Sequence, residues 1–115
     1  AYTTNVKVFR LSEAVLIAAE AAYRTGADAA FYINMLRRNR IQGYEDVSSA
    51  NMDDILNERR KELFGEGQIA FDYWRNGLTV VKEGFSVGPQ DGRTVLQIPK
   101  EEIDLAKGKL KQNPL

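Results

Sequence analysis

The sequence predicts a mostly α chain: two helices joined as a hairpin, a third long helix, and an irregular C-terminal segment. Three observations carry this. Apolar residues recur at helical spacing in three blocks before Gly77. The blocks begin or end on residues suited to helix termini, notably Gly26, Asp28, Asn51 and Gly77. Beyond Gly77 the helical pattern gives way to a glycine-rich stretch. At 115 residues, the whole span 1–115 is read as a single domain or a fragment of a larger one.

Residues 1–8, AYTTNVKV, read as an extended lead-in. The first helix is expected from about Phe9 to Thr25, stopping at Gly26, where a left-handed cap suits glycine. Leu11, Ala14, Val15, Ala18 and Ala22 are assigned to its apolar face. Asp28 is placed to cap a second helix, Ala29 to Ile41, with Tyr32, Ile33 and Leu36 as its stripe. Arg37, Arg38 and Arg40 crowd its last turn, where positive charge offsets the helix dipole. The short gap around Asp28 makes the two helices antiparallel. The pair resembles one tetratricopeptide-like unit, which buries its faces only against neighbours.

The loop YEDVSS leads to Asn51, read as the cap of one long helix that continues to Gly77. Met52, Ile55, Leu56, Leu63, Ala70 and Trp74 hold to one face, and Phe71 is assigned to the core with Trp74. Gly65 and Gly67 fall inside this helix, where each costs about 1 kcal/mol relative to alanine. The expectation is that they let the backbone pack closely on another element. The run Leu78 to Val81, the loop EGFSVGPQDGR, an extended TVLQI, one or two helical turns in KEEIDLA and a loop tail complete the chain.

Composition excludes several chemistries. There is no cysteine and no histidine, hence no disulfide, no thiolate nucleophile, no zinc site built on those ligands and no imidazole base. Sixteen basic and sixteen acidic residues balance, which gives no pull toward nucleic acid. The longest apolar run, AVLIAAEAA, is interrupted by Glu20 and is far too short for a membrane span. The start at Ala1 suggests a processed product or an excised piece.

Glu58, Glu62 and Glu66 stand at i, i+4 and i+8, along one side of a helix. Such a ladder could hold a di-metal centre, but sites of that kind also use histidine. It is read as structural, with Arg59 paired to Glu62 and held among internal carboxylates. A carboxylate-based hydrolase needs two acids across a cleft, and no cleft is evident in the pattern. Asp72 and Arg75 form an expected i, i+3 pair. GPQDGR lacks the context of a phosphate loop. No catalytic residue, cofactor or metal site is assigned.

Four blocks in order carry a resemblance to a known family. FRLSEAVLIAAEAAYRTG resembles the Arg-Leu-Glu helix with its Ala-Glu-Ala run in the SusD/RagB family. INMLRRNR is similar to the family's next helix, ILNERRKELFGEGQIAFDYWRNG to its Asn-Glu-Arg block, and QIPKEEIDL with KQNP to its ending. The resemblance implies the C-terminal region of a surface lipoprotein, several times longer and anchored to the outer membrane through an N-terminal lipid outside this chain. Such proteins are helical, tetratricopeptide-like and non-enzymatic. They bind glycans or other nutrients and partner a TonB-dependent transporter. The family's ligand contacts lie in variable loops, so Tyr44 and Phe85 are the candidate glycan contacts here. The alternative reading is a stand-alone tetratricopeptide-like module that binds another protein.

Overall fold

The computed structural model describes residues 9–113. The expected lead-in at residues 1–8 and the closing Pro114 and Leu115 lie outside that range. The chain forms two compact units, divided after Ile69.

The first unit holds α1 (Leu11–Thr25), α2 (Ala29–Arg38) and α3 (Met52–Glu62). Local chemistry sets most of their ends. Gly26 adopts φ 74° and closes α1, with its N–H and that of Ala27 returning to Tyr23 and Ala22. The Asp28 side chain accepts from Phe31 N–H at the start of α2. Asn51 and Asp54 form a reciprocal capping box on α3, each side chain accepting from the other's backbone N–H at 2.9 Å. α2 stops at Arg38, three residues before the expected end at Ile41. Here Asn39 turns its amide back onto Met35 O at 2.8 Å, a side-chain bond that competes with continued helix.

Leu16, Ala19 and Ala22 of α1, Ala29, Ile33 and Leu36 of α2, and Ile55 of α3 make the core. This corrects part of the expected apolar face of α1; of the residues assigned to it, Ala22 is in the core and Val15 packs against it. Leu11 is 82% exposed and Ala14 is exposed, while Ser12, Leu16, Ala19, Glu20 and Ala22 face inward. The reason is that α1 is apolar almost all round. Periodicity finds a stripe on such a helix but does not say which side is covered. Glu20 is buried because Arg24, one turn on, holds its carboxylate at 2.8 Å.

The long third helix is also corrected. It is two helices, α3 and α4 (Ile69–Arg75), separated by a break around Gly65 and Gly67. Both glycines have positive φ, 80° and 75°, and a Cβ on either would meet nothing within 4 Å. They do not admit a close neighbour. They turn the chain through conformations that cost other residues roughly 1–2 kcal/mol.

The second unit contains the rest of α4, a hairpin of β1 (Val80–Lys82) and β2 (Phe85–Val87), a 3-10 turn at Gly92–Thr94, and α5 (Lys100–Leu105). The hairpin was not expected from the sequence. Val80 pairs with Val87, Val81 with Ser86 and Lys82 with Phe85, and Gly84 at φ 69° completes the two-residue turn. Trp74 donates its indole N–H to Val87 O at 3.1 Å and meets Phe71 edge-on. Phe71 is 62% exposed, so its assignment to the core is corrected. The anticipated Asp72–Arg75 pair forms at 2.8 Å. The extended stretch beyond Val95 is held by side chains of the tail. Gln112 bonds both backbone groups of Ile98 at 2.8 Å, and Asn113 donates to Leu96 O at 2.7 Å.

Candidate functional site

The acidic ladder is the first place to test for chemistry, and each of its carboxylates is engaged by an arginine. Glu58 accepts from Arg37 at 2.8 and 2.9 Å, with the carboxylate side chain only 8% exposed, and Lys61 stands 3.9 Å away. Glu62 takes a two-point contact from Arg40, 2.7 and 3.1 Å. Glu66 lies past the end of α3 and pairs with Arg10 at 2.8 Å. Arg40 and Ser12 both bond the Glu62 carboxylate. The Arg40 hydrogen bond holds the Glu62 carboxyl below the usual range, aided by Ser12 and by the charges of Arg40 and Arg10. Arg59 itself is buried, 4% exposed.

The arginines thus do more than offset a helix dipole. Arg37 in α2 and Arg40 just past its end bond to α3, and Arg38 grips Asp46 in the following loop through Nε at 2.8 Å and through Nη2. Arg10 Nη2 also donates to Glu62 O at 2.6 Å, satisfying a carbonyl at the open end of α3. An ionised carboxylate already saturated by a guanidinium is a poor proton donor or acceptor at neutral pH. The ladder is therefore a seam between helices.

Two open grooves lie on the hairpin. One, of about 620 Å³, is lined by Ala18, Ala21, Ala22, Thr25, Phe31 and Tyr32 among others. The second, of about 410 Å³, is lined by Leu11, Val15, Met35 and Leu36 with Asn39 and Arg40 at its rim. Phe31, in the lining of the first, is more than half exposed. No helix among the described residues is long and apolar enough to cross a membrane.

The two candidate glycan contacts sit in different units. Tyr44 is half-buried in the first. Its hydroxyl donates to Asn34 Oδ1 at 2.7 Å, its ring lies 6.0 Å from the Arg37 guanidinium, and Asn34 also bonds both N–H and C=O of Val47. That network shapes the loop after α2. Phe85 is 48% exposed on β2, with the Arg93 guanidinium 5.5 Å from its ring centre. Sequence reasoning missed Arg93 and Asp91. The only local signal was Asp-Gly-Arg, a turn that lets a carboxylate cap its own successor.

Comparison with known proteins gives the context for this geometry. The SusD family model matches residues 1–115. Over 75 residues the chain is 36% identical to the starch-binding protein SusD of Bacteroides thetaiotaomicron, covering 65% of this chain and 13% of that protein. Among solved structures, a SusD superfamily protein from Bacteroides vulgatus superposes with a TM-score of 0.81 at 37% identity, covering 93% of this chain and 27% of that one. Surface glycan-binding protein A from Bacteroides thetaiotaomicron superposes with a TM-score of 0.76 at 33% identity, over 96% and 25%. The chain therefore spans about a quarter of the length of these solved relatives. Its mostly helical architecture is theirs. The match runs the length of the sequence and agrees with the four ordered blocks, so the chain belongs to the SusD family.

Proposed function

We propose that this chain is the C-terminal portion of a glycan-binding component of an outer-membrane, TonB-dependent uptake system. The observation that carries the reading is the family match over residues 1–115, joined to relatives whose names state starch binding and surface glycan binding. In this reading the working protein is several times longer and stands on the cell surface. An N-terminal lipid outside this chain holds it there, and it passes sugar to a transporter partner. It binds and does not catalyse. The engagement of Glu58, Glu62 and Glu66 by arginines supports binding over acid–base hydrolysis.

The test is fractionation of source cells with an antibody against this chain, followed by affinity electrophoresis through gels containing starch and other glycans. The expected result is a band several times larger than 13 kDa in the outer-membrane fraction, retarded by at least one glycan and co-purifying with a transporter. A soluble band near 13 kDa that no glycan retards would overturn the reading.

A further inference from the structure

The cluster around Phe85 has properties that its role in the hairpin does not explain. Phe85 sits on a three-residue strand with nearly half its surface in solvent. Beside it Arg93 is fixed from three directions: Nε donates to Asp91 Oδ1 at 2.9 Å, Nη2 to Asp91 Oδ2 at 2.6 Å, and Nη2 also to Ser86 O at 2.9 Å. A lone surface arginine retains much of its rotamer freedom. This one has been immobilised, so a ligand would not have to order it. The side chain is 51% exposed, so part of the guanidinium stays open to solvent.

A half-exposed aromatic ring with a held guanidinium lying over it, 5.5 Å from its centre, is a chemically specific surface. The exposed part of the ring offers an apolar contact for the C–H face of a pyranose, and the solvent-open part of the guanidinium offers donors to its hydroxyl or ring oxygens. The charge state narrows the class. Asp91 is ionised, with its carboxyl held down at about 2 by the Arg93 hydrogen bonds, so the pair is neutral overall. A neutral pair attracts neither the carboxylate of a uronic acid nor a sulfate ester over a distance.

We infer that Phe85 and the Asp91-fixed Arg93 form a subsite for one ring of a neutral oligosaccharide. The inference rests on the glycan-binding reading above and adds to it a location and a sugar class. Phe85 supplies the stacking surface, Arg93 supplies directed donors, and Asp91 with Ser86 positions Arg93.

The experiment is a titration of the isotopically labelled full chain, followed by amide chemical shifts, with maltoheptaose, cellohexaose and mannohexaose as neutral probes and trigalacturonate as the acidic one. The expected result is that at least one neutral probe shifts the amides of residues 85–86 and 91–93, and that trigalacturonate, gaining nothing from its charge, binds no more tightly. Phe85→Ala should weaken that binding at least fivefold. Arg93→Lys, which keeps the charge and loses the fixed fork, should do the same. Phe71→Ala, an exposed aromatic outside the cluster, should leave it unchanged. Retention of the Val80–Val87 pairing in each variant shows that the hairpin is intact. Shifts confined to other residues, or binding indifferent to Phe85→Ala, overturn the subsite and leave the glycan-binding reading standing. Absence of binding by all four probes likewise overturns the subsite, while the glycan-binding reading of the longer protein stands or falls on the fractionation and electrophoresis above.

Discussion

Arg37 and Glu58, twenty-one positions apart, meet through two hydrogen bonds of 2.8 and 2.9 Å, and their side chains are only 16% and 8% exposed. The contact bolts α2 to α3 at the edge of the core. Its partner preference is visible in the arginine, whose pKa is raised chiefly by the Glu58 hydrogen bond against the cost of burial. Removing one member of a largely buried pair strands the other, so Glu58→Ala should cost about 3 kcal/mol in a denaturant melt. The double variant with Arg37→Ala should cost less than the sum of the singles, with a coupling of about 1 kcal/mol or more. Strict additivity would show that the two groups do not depend on each other.

Gly65 and Gly67 allow a prediction by sign. In a continuous helix, replacing either with alanine would stabilise the protein by about 1 kcal/mol. Their left-handed backbone with open space around it predicts the opposite, because the Cβ brings strain and no contact. Gly65→Ala is expected to destabilise by about 1 kcal/mol. A rise in the melting midpoint would restore the single long helix.

Glu62 sets a pH dependence. Its carboxyl is held below the ordinary value of 4.5, first by the Arg40 hydrogen bond. A depressed folded-state pKa contributes stability that is fully present above the unfolded value and is lost as pH falls through the folded one. Melting temperature should therefore be flat near neutrality on this account and fall below about pH 4.5. Glu62→Gln should lower stability at pH 7 and shrink the acid-induced loss. An acid limb of unchanged depth in that variant would assign the dependence to other carboxylates.

The clamp of Gln112 on Ile98 gives a local prediction. One side-chain amide here serves both backbone groups of an extended residue, the service a neighbouring strand would provide. Gln112→Ala should accelerate hydrogen exchange of the Ile98 amide and cost about 1 kcal/mol of local stability. Exchange within α1 and α2 should not change. Unaltered exchange at Ile98 would mean that the clamp contributes nothing.

Much of the first unit was legible because its signals are local. Gly26, Asp28 and Asn51 act within a turn of where they stand, and all three cap as expected. The covered side of α1 was not legible, because Leu11, Ile17 and Leu16 look alike to periodicity and only packing selects Leu16. The break in the third helix was written in Gly65 and Gly67, but spacing alone does not distinguish tight packing from a turn. The hairpin was hidden by strands of three residues, too short to show alternation. The arginine partners were hidden by distance along the chain: Arg40 reaches Glu62 across twenty-two positions. At the candidate sugar contact, Phe85 was named as a loop aromatic and stands instead on β2. Arg93 was not legible, since its fixation depends on the fold of the turn at Asp91.

Arg10 shows where the end of α3 is written. Its guanidinium caps the Glu62 carbonyl from fifty-two positions upstream and holds Glu66 beyond it. The stop instruction for that helix is therefore shared between the glycines that follow it and a residue that precedes the whole hairpin. A peptide cut to residues 51–77 would carry half of its own punctuation. The boundary between α3 and α4 is thus held from two places at once, by backbone turns at Gly65 and Gly67 and by a side chain at the threshold of α1.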